Sequence, residues 1–166
     1  MNAVEGLCMS GSPTLELDRF LPYRLATLSN LVSSAIAERY SARFGISIPE
    51  WRVMAVLAMS PDLSAAQVAE RTAMDKVAVS RAVASLLAKN RLERKIAPGD
   101  RRRSMLQLSA EGARIYGEVA PLALSLEGSL VNVLDERDRT ALDRILNTLL
   151  ERARALGEPI SHKRKL

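Results

Sequence analysis

One cysteine and one histidine, Cys8 and His162, stand in a chain of 166 residues. That scarcity excludes an internal disulfide and a Cys/His zinc site, and it leaves any nucleophile without a histidine base outside the C-terminal tail. Aromatic residues are 4% of the chain, two Phe, three Tyr and one Trp, and none falls between Lys76 and Arg103. The stacking platforms that single-stranded RNA recognition uses are therefore missing from the basic part of the chain. Long apolar runs are missing too. The densest, Val53 to Met59, is seven residues long and ends in Ser60-Pro61, well short of the roughly 18–20 needed to span a bilayer. The start, MNAVEGLCMSGSPT, has neither a charged n-region nor a long apolar core, so a cytoplasmic protein with no membrane partner is expected. No Gly-rich phosphate loop and no G-x-S-x-G element occurs, and the carboxylates fall mostly on helix caps or beside arginines. Neither an enzyme nor a cofactor is expected.

Positive charge, by contrast, is concentrated. Between Lys76 and Arg103 nine Lys or Arg face two acids, Glu93 and Asp100, which leaves +7 in 28 residues. The whole chain carries +5, so the other 138 residues sum to −2. A local excess of this kind contributes little to folding in water, whereas neutralising phosphates releases counterions and yields a large, salt-dependent binding term. A polyanion partner is the expectation. With 48% hydrophobic and 26% charged residues, the chain is long enough for one globular domain with a core of its own.

Periodicity predicts a mainly α protein. Leu21, Leu25, Leu28, Val32, Ala35 and Ile36 recur at steps of three and four, which predicts a long first helix ending near Phe44-Gly45. Ser47-Ile-Pro-Glu50 reads as a capping box opening a second helix to about Met59, and Ser64-Ala-Ala-Gln67 as another opening a short third helix to about Thr72. Asp75 opens a fourth, with Val79, Val83, Leu86 and Leu87 on its buried stripe, Lys76, Val77, Ser80, Arg81 and Ala84 opposite, and Asn90 as its left-handed stop. The period then changes to two around Leu92, Arg94 and Ile96, breaks at Pro98-Gly99-Asp100 and resumes at Met105 to Leu108, which predicts a two-stranded hairpin with an arginine-rich tip. Residues 113–134 read as one long helical segment bent near Pro121, and a final helix capped by Asp135 places Leu142, Ile145, Leu146, Leu149, Leu150 and Ala153 on one face.

Two short helices with a tight connection, followed at once by a basic hairpin, form a winged helix-turn-helix. The second helix of such a pair enters the major groove, where base edges are distinguishable, and the hairpin reaches the flanking backbone or minor groove. Lys76, Val77, Ser80 and Arg81 are the candidate major-groove residues. Arg81 has the fork to take a guanine bidentately, Ser80 suits a phosphate or base, and Val77 with Ala78 suits a thymine methyl. Arg101, Arg102 and Arg103 suit a narrow, electronegative minor groove. Lys89, Arg91, Arg94 and Lys95 are expected to track phosphates or to keep the hairpin soluble. A charged helix face is often merely solvated. Its coincidence here with the helix-turn-helix-hairpin order weighs against that reading, and an architectural or non-specific nucleic-acid-binding protein stays as the alternative that the ratio of affinities for inverted-repeat and random DNA would decide.

Asp75-Lys-Val-Ala-Val-Ser-Arg81 through Leu86, and Asp100-Arg-Arg-Arg with Leu108-Ser109 and Gly112 downstream, resemble the multiple antibiotic resistance regulator (MarR) family. The second stretch is similar to that family's wing signature, Asp-x-Arg followed eight residues after the Asp by Leu-Thr/Ser and then Gly. The resemblance runs from about Leu17 to Leu156. It implies that Asp100 and Arg102 are the Asp-x-Arg pair, Arg102 meeting the minor groove and Asp100 either orienting it or only closing the hairpin. Asn90 stands where the family usually has Gly, and Asn keeps the turn.

Six apolar positions on the last helix, with the leucines of the segment before it, exceed what a small DNA-reading lobe could cover, so a homodimer is expected. Two-fold symmetry would then place two recognition helices about one DNA turn apart, on an inverted repeat of double-stranded DNA. The division expected is a tail over 1–16, one domain over 17–157 with dimerisation helices at 17–44 and 113–157 and the winged helix-turn-helix at 47–112, and a basic tail over 158–166. The resemblance also implies repression relieved by a small molecule bound between the dimer helices and the DNA-reading lobe. Arg24, Leu28, Ser34 and Arg39 on the first helix, and Trp51 and Arg52 on the second, are the candidate effector residues. An aromatic wall beside a guanidinium suits an aromatic acid or an acyl thioester on a phosphate-bearing carrier, although a lone Trp is more often core. Ile48 to Leu57 resembles regulators of hydroxycinnamate breakdown that respond to coenzyme A thioesters. Cys8 offers a redox-responsive alternative, weakened by its place in the N-terminal tail.

Overall fold

The computed structural model describes residues 14–97 and 100–157, with backbone alone for 96, 97, 100–103 and 157. Cys8 and His162 lie outside the described residues. The described elements run α1 (Leu21–Phe44), α2 (Ile48–Met59), α3 (Ala65–Thr72), α4 (Lys76–Ala88), β1 (Leu92–Ala97), β2 (Asp100–Leu108), α5 (Ala110–Val131) and α6 (Glu136–Gly157). The chain is mainly α, with one two-stranded antiparallel sheet. It divides into two units, one through Val119 and one from Ala120 onward.

In the first unit each helix begins and ends on the chemistry its sequence supplies. Ser47 and Glu50 form the reciprocal cap of α2, the Ser47 amide donating to Glu50 Oε2 at 2.7 Å. Ser64 and Gln67 repeat the device on α3, with Ser64 N to Gln67 Oε1 at 2.9 Å. Each box satisfies amides that the first helical turn leaves without partners. Asp75 Oδ1 accepts from the amides of Val77 and Ala78 at 2.9 and 2.8 Å and starts α4. Gly45 (φ 59) and Asn90 (φ 53) supply the left-handed residues that end α1 and follow α4. Ala73 takes the same conformation, φ 51, at the end of α3. There it permits the tight link into α4 at the cost of a Cβ clash that Gly would avoid.

One core organises this unit. Tyr40, Val53, Met54, Leu57, Val68, Val79, Leu86, Ile115 and Val119 are almost fully buried. The hairpin is fastened to that core at its base. Leu92 pairs with Leu108 and Ile96 with Ser104, and a register shift follows between Ile96 and Ala97, whose partner is Asp100. A short bridge between Leu63 and Leu106, with Leu106 N donating to Leu63 O at 2.8 Å, ties the α2–α3 link to the wing.

At the wing's foot the chain turns straight into α5. Ser109 N donates to Arg91 O at 3.1 Å, Ser109 Oγ donates to Asn90 O at 2.7 Å, and Gly112 N donates to Ser109 Oγ at 3.0 Å. A Cβ on Gly112 would sit 2.0 Å from Arg91 O. Leu108-Ser109 and Gly112 are thus a backbone junction.

In the second unit α6 opens on Asp135, whose Oδ1 accepts from the Asp138 amide at 2.8 Å. Arg139 folds back to Leu134 O and Asn132 Oδ1 at 3.1 Å each, closing the link between the two helices. Among the described side chains of α6 none is buried, and its apolar stripe, Leu142, Ile145, Leu146, Leu149 and Leu150, is exposed. None of the helices among the described residues is long and apolar enough to cross a membrane.

Candidate nucleic-acid interface

α4 is amphipathic in the sense its sequence predicts. Val79, Ala82, Val83 and Leu86 are buried while Lys76, Val77, Ser80, Arg81 and Ala84 are exposed, Val77 by 58%. Among the described residues Lys76, Ser80 and Arg81 engage no hydrogen-bond or ion-pair partner. Asp75 occupies the first amides of α4, so a ligand of this face meets side chains and not a bare helix terminus.

The wing supplies a second basic element. Arg101, Arg102 and Arg103 occupy the stretch of β2 between Asp100 and Ser104, the partners of Ala97 and Ile96, where the ladder register shifts. Their side chains, and that of Asp100, lie outside the described ones. Arg94 and Lys95, on the opposite strand, are exposed.

Lys89 and Arg91 depart from their expected role as phosphate-tracking or solubilising residues. Lys89 Nζ donates to Gly45 O at 2.9 Å and to Glu50 Oε1 at 2.8 Å, and Arg91 Nη2 donates to Phe44 O. The last carbonyls of α1 lack helical partners and carry partial negative charge, which draws these two cations inward. Glu50 completes the cluster. It is 4% exposed, and its Oε1 also accepts from Ser85 Oγ at 2.7 Å. Burial alone would raise its pKa, but the hydrogen bonds from Lys89, Ser47 and Ser85 outweigh it and hold the carboxyl at about 2. Sequence inspection identifies Glu50 as a cap and misses its reach to α4.

The effector candidates divide between two places. Arg24 and Leu28 line a groove of about 260 Å³ on α1 with Asp18, Tyr23, Thr27 and Leu31. Neither Trp51 nor Arg52 lines it. Trp51 stacks on Tyr116 (centroids 5.6 Å apart, 19° between planes) and tilts against Tyr40 at 5.8 Å. Arg52 Nη2 donates to Ser33 Oγ at 3.1 Å. The Tyr40 hydroxyl is buried without a partner, and its pKa is pushed up to about 12 by that burial, against the nearby Arg52. Ser34 and Arg39 are exposed on α1. Ser33, Tyr40 and Tyr116 were not singled out by the sequence, because nothing local marks a serine or tyrosine that meets a partner on another helix. Among the described residues no group of His, Cys, Asp and Glu is placed to hold a metal ion.

A short helix, a tight turn, a helix with an exposed basic face and a β hairpin define a winged helix-turn-helix lobe. Residues 44–103 match the family model described as MarR family. No curated protein matches the chain by sequence. Among solved structures, a MarR/EmrR family transcriptional regulator from Acinetobacter sp. ADP1 is similar at 26% identity and TM-score 0.78, over 85% of this chain and 99% of that one. A MarR family regulator from Silicibacter pomeroyi is similar at 27% identity and TM-score 0.72, over 86% of this chain and 94% of that one. Bordetella bronchiseptica BpsR, whose DNA binding is regulated by 6-hydroxynicotinic acid, shares the fold at 19% identity and TM-score 0.71, over 82% and 97%. The matched segment covers α2 to α4, β1 and the start of β2, and the regulators at 26% and 27% identity show that the chain is similar to MarR family transcription regulators over most of its length.

Proposed function

We infer that the chain is a repressor that binds an inverted-repeat DNA operator as a homodimer and releases it when a small aromatic acid, or its coenzyme A thioester, binds. The observation that carries DNA reading is the solvent face of α4, where Lys76, Val77, Ser80 and Arg81 stand together without intramolecular partners among the described residues. Arg81 takes a guanine edge, Lys76 and Ser80 take phosphate or base, and Val77 takes a thymine methyl. Arg101, Arg102 and Arg103, with Asp100 beside them, grip the flanking minor groove. Residues 47–112 read DNA, and residues 17–44 and 113–157 join two copies.

The effector reading is carried furthest by Arg24 and Leu28. Their groove joins a guanidinium to the apolar walls of Leu31 and Tyr23, which fits a flat acid. Regulation of BpsR by 6-hydroxynicotinic acid supports the aromatic-acid class. Ser34, Arg39, Trp51 and Arg52 lie outside that groove, Trp51 against Tyr40 and Tyr116 and Arg52 on Ser33, so they belong to the effector reading only as a second, separate cluster on α1 and α2.

Two measurements test this function. A duplex selected by the protein from a random library should contain an inverted repeat with half-sites about 10 bp apart, and it should bind far more tightly than its scrambled counterpart at fixed salt. Equal affinity for both would reduce the chain to a non-specific polyanion binder. Thermal-shift titration with aromatic acids and with their coenzyme A thioesters should raise the melting temperature for one class, and no response to either removes the effector assignment.

A further inference from the structure

Gln67 and Glu50 fill the same position of two equivalent capping boxes, and only one of them is charged and buried. On α3 the neutral Gln67 closes the box, so capping by itself does not require a carboxylate. On α2 Glu50 closes the box with Oε2 and turns Oε1 to α4, where Ser85 Oγ and Lys89 Nζ donate to it. Lys89 in turn reaches Gly45 O at the end of α1. Burying a carboxylate is unfavourable unless its partners are well placed, so the charge at position 50 has a purpose beyond the cap.

α4 is otherwise held by Val79, Ala82, Val83 and Leu86, and apolar packing is non-directional. The hydrogen bonds to Glu50 are directional. They fix the rotation of α4 about its own axis at Ser85, one helical turn after Arg81. Arg81 and Glu50 also line one cavity of about 380 Å³ with Ser47, Pro49, Ala82 and Ser85, so the orienting group and the base-reading candidate share a wall.

We propose that Glu50 is a positioning residue for DNA recognition: through Ser85 and Lys89 it sets the rotation of the recognition helix, and so the direction in which Lys76, Ser80 and Arg81 leave it. This rests on the DNA-reading function inferred above. It assigns Glu50 a contribution to sequence discrimination although Glu50 faces inward.

Glu50→Gln separates the two roles, because Gln keeps the cap, as Gln67 does, while removing the charge that Lys89 and Ser85 meet. The probes are the duplex selected by the wild-type protein and its scrambled counterpart, at one salt concentration. E50Q should bind the selected duplex about tenfold more weakly, the size of one lost charge-assisted hydrogen bond, with little change on scrambled DNA. Ser85→Ala, a small change at a half-buried position, should lose several-fold on the selected duplex alone, and adding it to E50Q should cost little more. Unchanged selected-duplex affinity in folded E50Q and S85A, or the same loss on both duplexes, would overturn the proposal and leave Glu50 as a cap. Failure of the wild-type chain to select any sequence would overturn the DNA-reading function, and this proposal with it, before a variant is made.

Discussion

Arg81 and Arg103 carry the same charge and, in the inferred complex, do different work. On the exposed face of α4 Arg81 stands where base edges differ in donor and acceptor pattern, so Arg81→Ala should cost roughly 1–3 kcal/mol on the selected duplex and relax discrimination there. Arg103 falls on the wing, where contact is with backbone and groove shape. Arg103→Ala should weaken all duplexes alike and flatten the salt dependence by about one unit. Anisotropy titrations of both variants on selected and scrambled DNA at several salt concentrations check this, and identical profiles would erase the distinction between reading and anchoring. A second residue-scale outcome concerns pH. The folded-state pKa of Glu50 is lowered from 4.5 to about 2, so its contribution to stability is complete above about pH 4.5 and is lost as the pH falls toward 2. Urea unfolding of wild type and E50Q across that range should show a wild-type advantage that shrinks on acidification. An advantage that stays constant with pH would mean that the charge of Glu50 is not what stabilises the fold.

Gly112 shows how a feature of sequence becomes an element-scale constraint. The carbonyl of Arg91 lies where its Cβ would be, so Gly112→Ala must push β1 and α5 apart. A loss of about 1–3 kcal/mol in urea unfolding is expected, the usual cost of overpacking, together with weaker binding to all DNA because the wing's foot moves. Unchanged stability would show that the junction yields freely. Helices and hairpin were legible because their signals are local: the two Ser-x-x-Glu/Gln boxes, Asp75, Asn90 and the period-two run from Leu92 each act within a few residues. Ala73 was not legible as a left-handed residue, since the type that eases that conformation is absent and only the α3–α4 packing imposes it. The Leu63–Leu106 bridge, the Arg52–Ser33 bond and the Glu50–Ser85 and Lys89 links were invisible for the same reason. Each joins residues at least 19 positions apart, and no local pattern records such a meeting. The basic segment was legible as a patch but not in its division. Seen as charge, Lys89 and Arg91 resemble Lys76 and Arg81, and only the position of the α1 carbonyls turns the first two inward.

At the scale of the whole molecule, the +7 segment and the exposed face of α6 pose one question between them. A single recognition helix and wing contact one half-site, whereas linking two half-site contacts raises affinity by about 10²–10⁴ without any new interaction. The stripe from Leu142 to Leu150 on α6, with five leucine or isoleucine side chains each 37–52% exposed in the single chain, is the kind of face that a two-fold partner covers with its own copy. Ile145→Asp with Leu149→Asp places two charges one turn apart on that stripe. Both positions are exposed, and no described side chain of their helix is buried, so helix content should persist while sedimentation shows a monomer. Affinity for the inverted-repeat duplex should then drop by about 10²-fold or more, toward the affinity for a duplex holding one half-site, which should itself be unchanged. A variant that stays dimeric would place the interface elsewhere, and a monomer that still binds the inverted repeat at full strength would show that one copy suffices to read it.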